Sequence, residues 1–221
     1  MTAAADRITY HVASWCLDYP TPELVERTSA LRGLMATVAG EIPAAVEQAV
    51  DHMAWTPLES LQERYVELFD FNRRHSLHLS YWTDGDTRRR GEVLLRFKQR
   101  YRASGFLVNT HGELPDYLPI VLDYAASANL DDGRALLQEY RPSLELLRFA
   151  LLETDPLYGG LVTAVCATLP GASPSDRRAA QRMAAAGPPR EDVGLEPFDP
   201  RLLPLAQTVA GGDGVESGGV T

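Results

Sequence analysis

The chain is short of the residues that most directly announce chemistry. Of its 221 residues only two are cysteines, Cys16 and Cys166, far apart and in no CxxC pair. A disulfide scaffold and a cysteine-based zinc site are therefore set aside. The five histidines, His11, His52, His75, His78 and His111, include no HExxH helix. His75 and His78 are the only close pair, and without carboxylates at ligand spacing they read as polar loop residues. There is no GxSxG elbow, no cysteine with a local catalytic signature and no glycine-rich phosphate loop. No apolar run approaches the roughly 18 residues of a membrane span. The first residues, Met1-Thr2-Ala3-Ala4-Ala5-Asp6-Arg7, lack the basic-then-apolar order of a secretory signal, so a cytoplasmic location without membrane insertion is expected.

What is present is ordinary in amount and lopsided in charge. Hydrophobic residues make up 45% and charged residues 23%, as in soluble globular proteins long enough to bury a core. Acids outnumber bases 30 to 21, for a net charge of −9, and Lys98 is the only lysine. That balance argues against bulk nucleic-acid affinity, which depends on neutralising phosphates. It is compatible with a basic peptide partner.

The patterning is helical throughout, with no alternating strand and no internal repeat. Thr21-Pro22-Glu23 is a helix start, a capping hydroxyl followed by proline and an acid, and Gly40 is a plausible stop. Thr56-Pro57-Leu58-Glu59 reads as a capping box opening a helix with Leu58, Leu61, Tyr65, Leu68 and Phe69 on one face. A helix over about 87–104 carries Leu94, Phe97 and Tyr101 inward and ends at Gly105. The same spacing joins Tyr117, Ile120, Val121 and Tyr124, then Leu144, Leu147 and Leu151, then Leu157, Leu161, Val165 and Leu169. Gly159-Gly160 falls inside the last pattern and reads as a close-packing point. Ser173-Pro174-Ser175-Asp176 opens a short final helix. The expected architecture is an all-α single-domain bundle over residues 1–186. From 187 to 221 prolines and glycines dominate, an acidic tail expected to be disordered except where Leu202, Leu203 and Leu205 could dock locally.

Three stretches stand out. Arg88, Arg89, Arg90, Arg96, Lys98, Arg100 and Arg102 crowd one helix, either a solvated face around a buried stripe or an anion-binding surface. The segment from Tyr65 to Trp82 leaves its helix near Asp70 and then carries Leu77, Leu79, Tyr81 and Trp82. It either folds over the core or lines a groove for an apolar partner. In Glu113-Leu114-Pro115-Asp116-Tyr117-Leu118-Pro119, Asp116 is placed as an N-cap. Pro119 lacks an N–H to offer it, which leaves acceptor capacity for another donor.

Read together, Tyr65-Val66-Glu67-Leu68-Phe69-Asp70, Arg73, Ser76-Leu77-His78-Leu79, Gly85-Asp86, Arg90-Gly91 and Glu113 to Pro119 resemble the nitrate reductase assembly chaperones of the NarJ type, grouped with the TorD and DmsD chaperones in one all-helical family. The resemblance runs over roughly residues 8–170. It implies a non-enzymatic, system-specific chaperone of the cytoplasm. Such a protein binds the N-terminal leader, often of twin-arginine type, of the respiratory nitrate reductase catalytic subunit. It holds that subunit competent for molybdopterin cofactor and iron–sulfur insertion and for complex assembly, and it is not part of the mature enzyme. No cofactor is held permanently. Molybdopterin guanine dinucleotide is contacted, if at all, during transfer, with Arg88, Arg89 and Arg90 as the anion contacts, and cofactor-biosynthesis proteins are further partners. The leader site is expected from Tyr65, Phe69, Asp70, Arg73, Leu77, Leu79, Tyr81, Trp82, Glu113, Leu114, Pro115, Asp116 and Tyr117. Apolar residues would meet one side of the leader, and Asp70, Glu113 and Asp116 its arginine or lysine. Tyr117 departs from the histidine frequent at that position. Two other classes stand beside this one: a helical nucleic-acid-binding regulator using the 88–102 stripe, and an enzyme with a dispersed site.

Overall fold

Thr2 accepts the Ala5 N–H on its hydroxyl, and the helix it caps, α1 (Ala3–Leu17), runs through the middle of the core. The computed structural model describes residues 2–37, 44–85, 88–105, 108, 110 and 112–186, and among them every regular element is helical. After α1 come α2 (Pro22–Ala36), α3 (Ala44–Trp55), α4 (Leu58–Tyr65), α5 (Tyr81–Asp84), α6 (Arg88–Ala103), α7 (Leu118–Asp123), α8 (Leu130–Glu139), α9 (Arg141–Thr154), α10 (Pro156–Ala167) and α11 (Arg177–Ala186). The all-α expectation holds. No helix among the described residues is long and apolar enough to cross a membrane.

Burial follows the apolar spacing. Tyr10, Val12, Ala13, Cys16 and Leu17 bury more than one face of α1, and α2, α3, α7 and α10 pack around it. Small residues set the closest approaches. A Cβ on Gly159 would lie 2.7 Å from the Leu152 nitrogen, and one on Gly160 3.1 Å from the Ala45 Cβ, so the Gly-Gly pair is the packing point that its helical context suggested. Gly133 is tighter still, at 2.4 Å from the Ala125 Cβ. The loop after α10 is clamped by a buried triad. Glu145 pairs with Arg141 and Arg148, and the two guanidiniums also bond the Pro170, Gly171 and Pro174 carbonyls.

Several local expectations are corrected. Thr56 does not cap α4: that position falls to Pro57, and the Thr56 hydroxyl turns back to His52. α2 ends at Ala36 with Thr37 at its cap, short of Gly40, which lies outside the described residues. The buried stripe of α6 is Val93, Phe97 and Tyr101, a strict i, i+4, i+8 row, and Leu94 sits at its shoulder. The end of α6 is as expected, with Gly105 at φ +77°, a conformation that favours glycine. The 187–221 segment lies outside the described residues.

Candidate functional site

The two unusual segments are joined by main chain. The Leu79 N–H bonds the Asp116 carbonyl at 3.0 Å and the Leu118 N–H bonds the Leu77 carbonyl at 2.8 Å. His78 and Tyr117 thus stand opposite each other in an isolated antiparallel bridge, with ring centroids 5.4 Å apart. The third wall is the continuation of α4. Beyond Tyr65 the helix widens into a π-turn over Val66–Asp70, with the Phe71 N–H reaching the Val66 carbonyl. Such widenings often occur at functional sites because they re-aim side chains out of helical register.

Between these walls and the corner after α1 lies an open cleft of about 400 Å³, lined by Asp18, Tyr19, Tyr65, Phe69, Asp70, Arg73, Ser76, Leu77, His78, Tyr81, Glu113 and Tyr117. Its floor is aromatic, with Tyr65 edge-on to Tyr19 at 5.4 Å and tilted against Phe69 at 4.7 Å. Its rim carries Asp18, Asp70 and Glu113 against Arg73, and all four are exposed. A hydrogen-bonded chain runs under the rim. The Tyr117 hydroxyl donates to Asp18 Oδ1 at 3.0 Å and so accepts from Tyr65 at 2.7 Å. Burial, then the neighbouring Tyr65 and Asp18, pushes the Tyr117 hydroxyl well above its ordinary range, so it remains a neutral donor. The same Asp18 oxygen accepts the Tyr19 N–H at 2.8 Å, which holds the carboxylate in place.

Of the residues expected at a leader site, Tyr65, Phe69, Asp70, Arg73, Leu77, Tyr81, Glu113 and Tyr117 line this cleft. The others lie elsewhere. Leu79 is buried in the core and does not line the cleft. Trp82 packs against the core with its indole N–H on the Ser76 carbonyl. Leu114 is exposed outside the cleft, and the Pro115 carbonyl accepts the Tyr101 hydroxyl. The cleft is also lined by Asp18, Tyr19, Ser76 and His78, which the motifs did not single out for the site. Asp18 and Tyr19 sit at a helix end with no motif around them. His78 did carry a signal, since it lies in the quoted Ser76–Leu79 run.

Asp116 differs most from expectation. It is not a cap: Tyr117 precedes α7, and no side chain caps that helix. Asp116 is 0% exposed, and one oxygen accepts both the Ser80 N–H (3.1 Å) and the Ser80 hydroxyl (2.6 Å). Arg90 lies 3.6 Å from that oxygen, and His78 Nδ1 lies 3.4 Å from the other without a well-aligned hydrogen bond. Burial works to raise its pKa, but His78, Ser80 and Arg90 outweigh burial and hold it below the ordinary carboxylate value. An enclosed carboxylate with internal partners has no face left for an incoming arginine.

The basic stripe is likewise divided. Arg90 turns inward to Asp116 and Ser80, and Arg100 pairs with Asp132 and Glu139. Arg89, Arg96, Lys98 and Arg102 are exposed, while the Arg88 side chain lies outside what is described. The histidine pair splits too: His75 is buried between the Leu68 carbonyl and Thr154, a core residue rather than a loop one. No cluster of ligand-type side chains that could hold a metal occurs among the described residues.

Residues 35–160 match the family described as nitrate reductase delta subunit. The chain is 31% identical over 170 residues to the nitrate reductase molybdenum cofactor assembly chaperone NarJ of Bacillus subtilis, covering 76% of this chain and 92% of that one. It is 35% identical over 161 residues to the nitrate reductase-like protein NarX of Mycobacterium tuberculosis, covering 73% of this chain but only 24% of the NarX length. It therefore corresponds to about a quarter of that longer relative. A crystal structure assigned to a redox enzyme maturation protein of Archaeoglobus fulgidus superposes with a TM-score of 0.54 over 73% of this chain and 92% of that one, at 21% identity. That likeness speaks to the fold alone. With more than half of the sequence matched and the Bacillus relative followed over nearly its whole length, the chain belongs to the nitrate reductase delta subunit family.

Proposed function

We propose that this chain is a system-specific assembly chaperone that is not an enzyme. It binds the N-terminal leader of a respiratory nitrate reductase catalytic subunit in the cleft between Tyr65 and Tyr117. There it keeps that subunit competent for insertion of molybdopterin cofactor and iron–sulfur clusters. The observation that carries the reading is the cleft itself, an aromatic floor under a rim with three acids and one base. An apolar floor takes the apolar side of an amphipathic segment. The rim acids take its arginine or lysine through charge-assisted hydrogen bonds. The net charge of −9 steers such a segment inward. The name of the Bacillus relative, a molybdenum cofactor assembly chaperone, supports the same role.

The test is calorimetric titration of the purified chain with a synthetic peptide of the catalytic subunit leader from the same genome. Stoichiometric binding that weakens with salt is expected. No heat and no competition at peptide concentrations up to about 1 mM, the edge of specific recognition, would overturn the reading.

A further inference from the structure

The leader cleft has a neighbour. Across Asp18, between α1 and α7, lies a second concavity of about 200 Å³, walled by Trp15, Val108, Pro119 and Ile120 with His11 and Asp123 at its edge. Asp18 lines both clefts, so they abut at one carboxylate. Each is small: together they hold side chains, and a helical segment would lie over them with its backbone outside.

We propose that the second cleft is an apolar anchor subsite for the same basic segment, taking a bulky aliphatic or aromatic side chain about one helical turn away from the cation that Asp18 receives. This inference rests on the leader reading above and extends it. One argument is position. A cation and an anchor that both reach the surroundings of one side chain must be near neighbours, which on a helix means i, i+3 or i, i+4. Another is the state of Asp18. Its Oδ1 is occupied by the Tyr117 hydroxyl and the Tyr19 N–H. The carboxylate is thus oriented, with Oδ2 able to accept a cation, and Tyr117 is its positioning residue. A third is the wall chemistry. The Trp15 indole is braced by the Arg27 guanidinium at 4.7 Å from the ring centroid. Burial, with the Arg27 charge, lowers the His11 pKa despite nearby Asp123, so His11 adds no positive charge to the edge, and the Arg27 guanidinium is itself paired with Glu23.

The test uses the full chain labelled with 5-fluorotryptophan and the same leader peptide. There are three tryptophans, assigned by single Trp→Phe replacements. Trp15 faces the second cleft, and Trp55, 81% exposed at the end of α3, is the control. On saturation the Trp15 resonance should move while that of Trp55 stays. Trp15→Ala and Asp18→Asn should each weaken binding about tenfold, equivalent to about 1.4 kcal/mol, with melting temperature as the folding check. Asp18→Asn keeps the Oδ1 acceptor and loses the charge, and Tyr117→Phe should reproduce part of its effect. If the peptide binds but the Trp15 resonance stays and Trp15→Ala binds as tightly as wild type, the second subsite is refuted while the leader cleft stands. If the peptide does not bind at all, both fall.

Discussion

Replacing Asp116 separates a scaffold role from a recognition role. A carboxylate at the mouth of a leader site, when neutralised, should weaken binding and flatten its salt dependence while leaving the fold intact. The structure reverses that signature. Asp116→Ala deletes the acceptor of two Ser80 hydrogen bonds, strands a buried backbone N–H and removes one carboxylate partner of Arg90. Hydrogen bonds to a charged partner contribute about 1.5–3 kcal/mol each, and breaking a buried charged cluster from one side costs about 3–5 kcal/mol. Arg90 is 15% exposed and can turn partly to water, which favours the lower end, about 3 kcal/mol. Asp116→Asn retains one acceptor oxygen for Ser80 and loses the charge, and should cost about 1.5–3 kcal/mol. Urea unfolding of both variants measures this, with the m-value unchanged. At temperatures where Asp116→Asn is fully folded, leader affinity and its salt slope should match wild type within about twofold, a difference under 0.5 kcal/mol. A destabilisation of Asp116→Ala below about 1 kcal/mol, the centre of the distribution for point substitutions in general, would refute the reasoning. So would a fully stable Asp116→Asn that binds tenfold more weakly.

Other outcomes follow from the same contacts. The folded-state pKa of Asp116 is depressed, so its stabilisation is full above the unfolded value near 4 and is lost as pH falls through the folded value. Urea midpoints taken between about pH 5 and pH 2 should fall less steeply for Asp116→Asn than for wild type. Burial pushes the Cys16 thiol up to about 12, and Cys166 is raised by burial as well. Neither should react with a thiol reagent at about pH 8 until the chain unfolds, which a colorimetric thiol count with and without denaturant checks. Gly133→Ala would push a methyl into Ala125 and should destabilise by about 1–3 kcal/mol, whereas Gly91→Ala, with open space around it inside α6, should stabilise by about 0.4–1 kcal/mol. Thermal melts of the two variants should move in opposite directions.

The bundle was legible because period and punctuation agree in its stronger helices. The rows Leu61–Tyr65–Leu68, Ile120–Val121–Tyr124, Leu144–Leu147–Leu151 and Leu161–Val165 are all buried, as the spacing requires. Helices α1, α3 and α8 were harder to read. The buried residues of α1 include Ala5, Asp6, Thr9, Ala13 and Ser14, and those of α8 include Gly133. Small and polar members blur a period that depends on bulky apolar ones, and α1 is buried on several sides, so it has no single face to display. The two failed caps share a cause. Thr56 and Asp116 each precede a proline-containing helix start, and local pattern says nothing about which partner a tertiary contact will supply. His52 took one side chain and Ser80 the other.

The same limit explains which half of the site could be read. Residues within one motif arrive together: Tyr65, Phe69, Asp70 and Arg73 are neighbours along the chain, and Glu113 and Tyr117 belong to the other signature. What joins them is a bridge of two backbone hydrogen bonds between 77–79 and 116–118, a pairing that side-chain pattern does not encode. That bridge sends alternate residues to opposite sides. His78 and Tyr117 show their rings to the cleft, while Leu79 and Asp116 face the interior. A one-residue alternation therefore divides a contiguous motif between the cleft and the interior. In the proposed reading it is Asp18 rather than Asp116 that offers a carboxylate to the cleft, a residue 99 positions from Tyr117 in sequence and 3.0 Å from its hydroxyl in space. Tyr117 donates to Asp18 Oδ1 and so orients that carboxylate, and burial, by raising the phenol pKa, favours the neutral form that can donate.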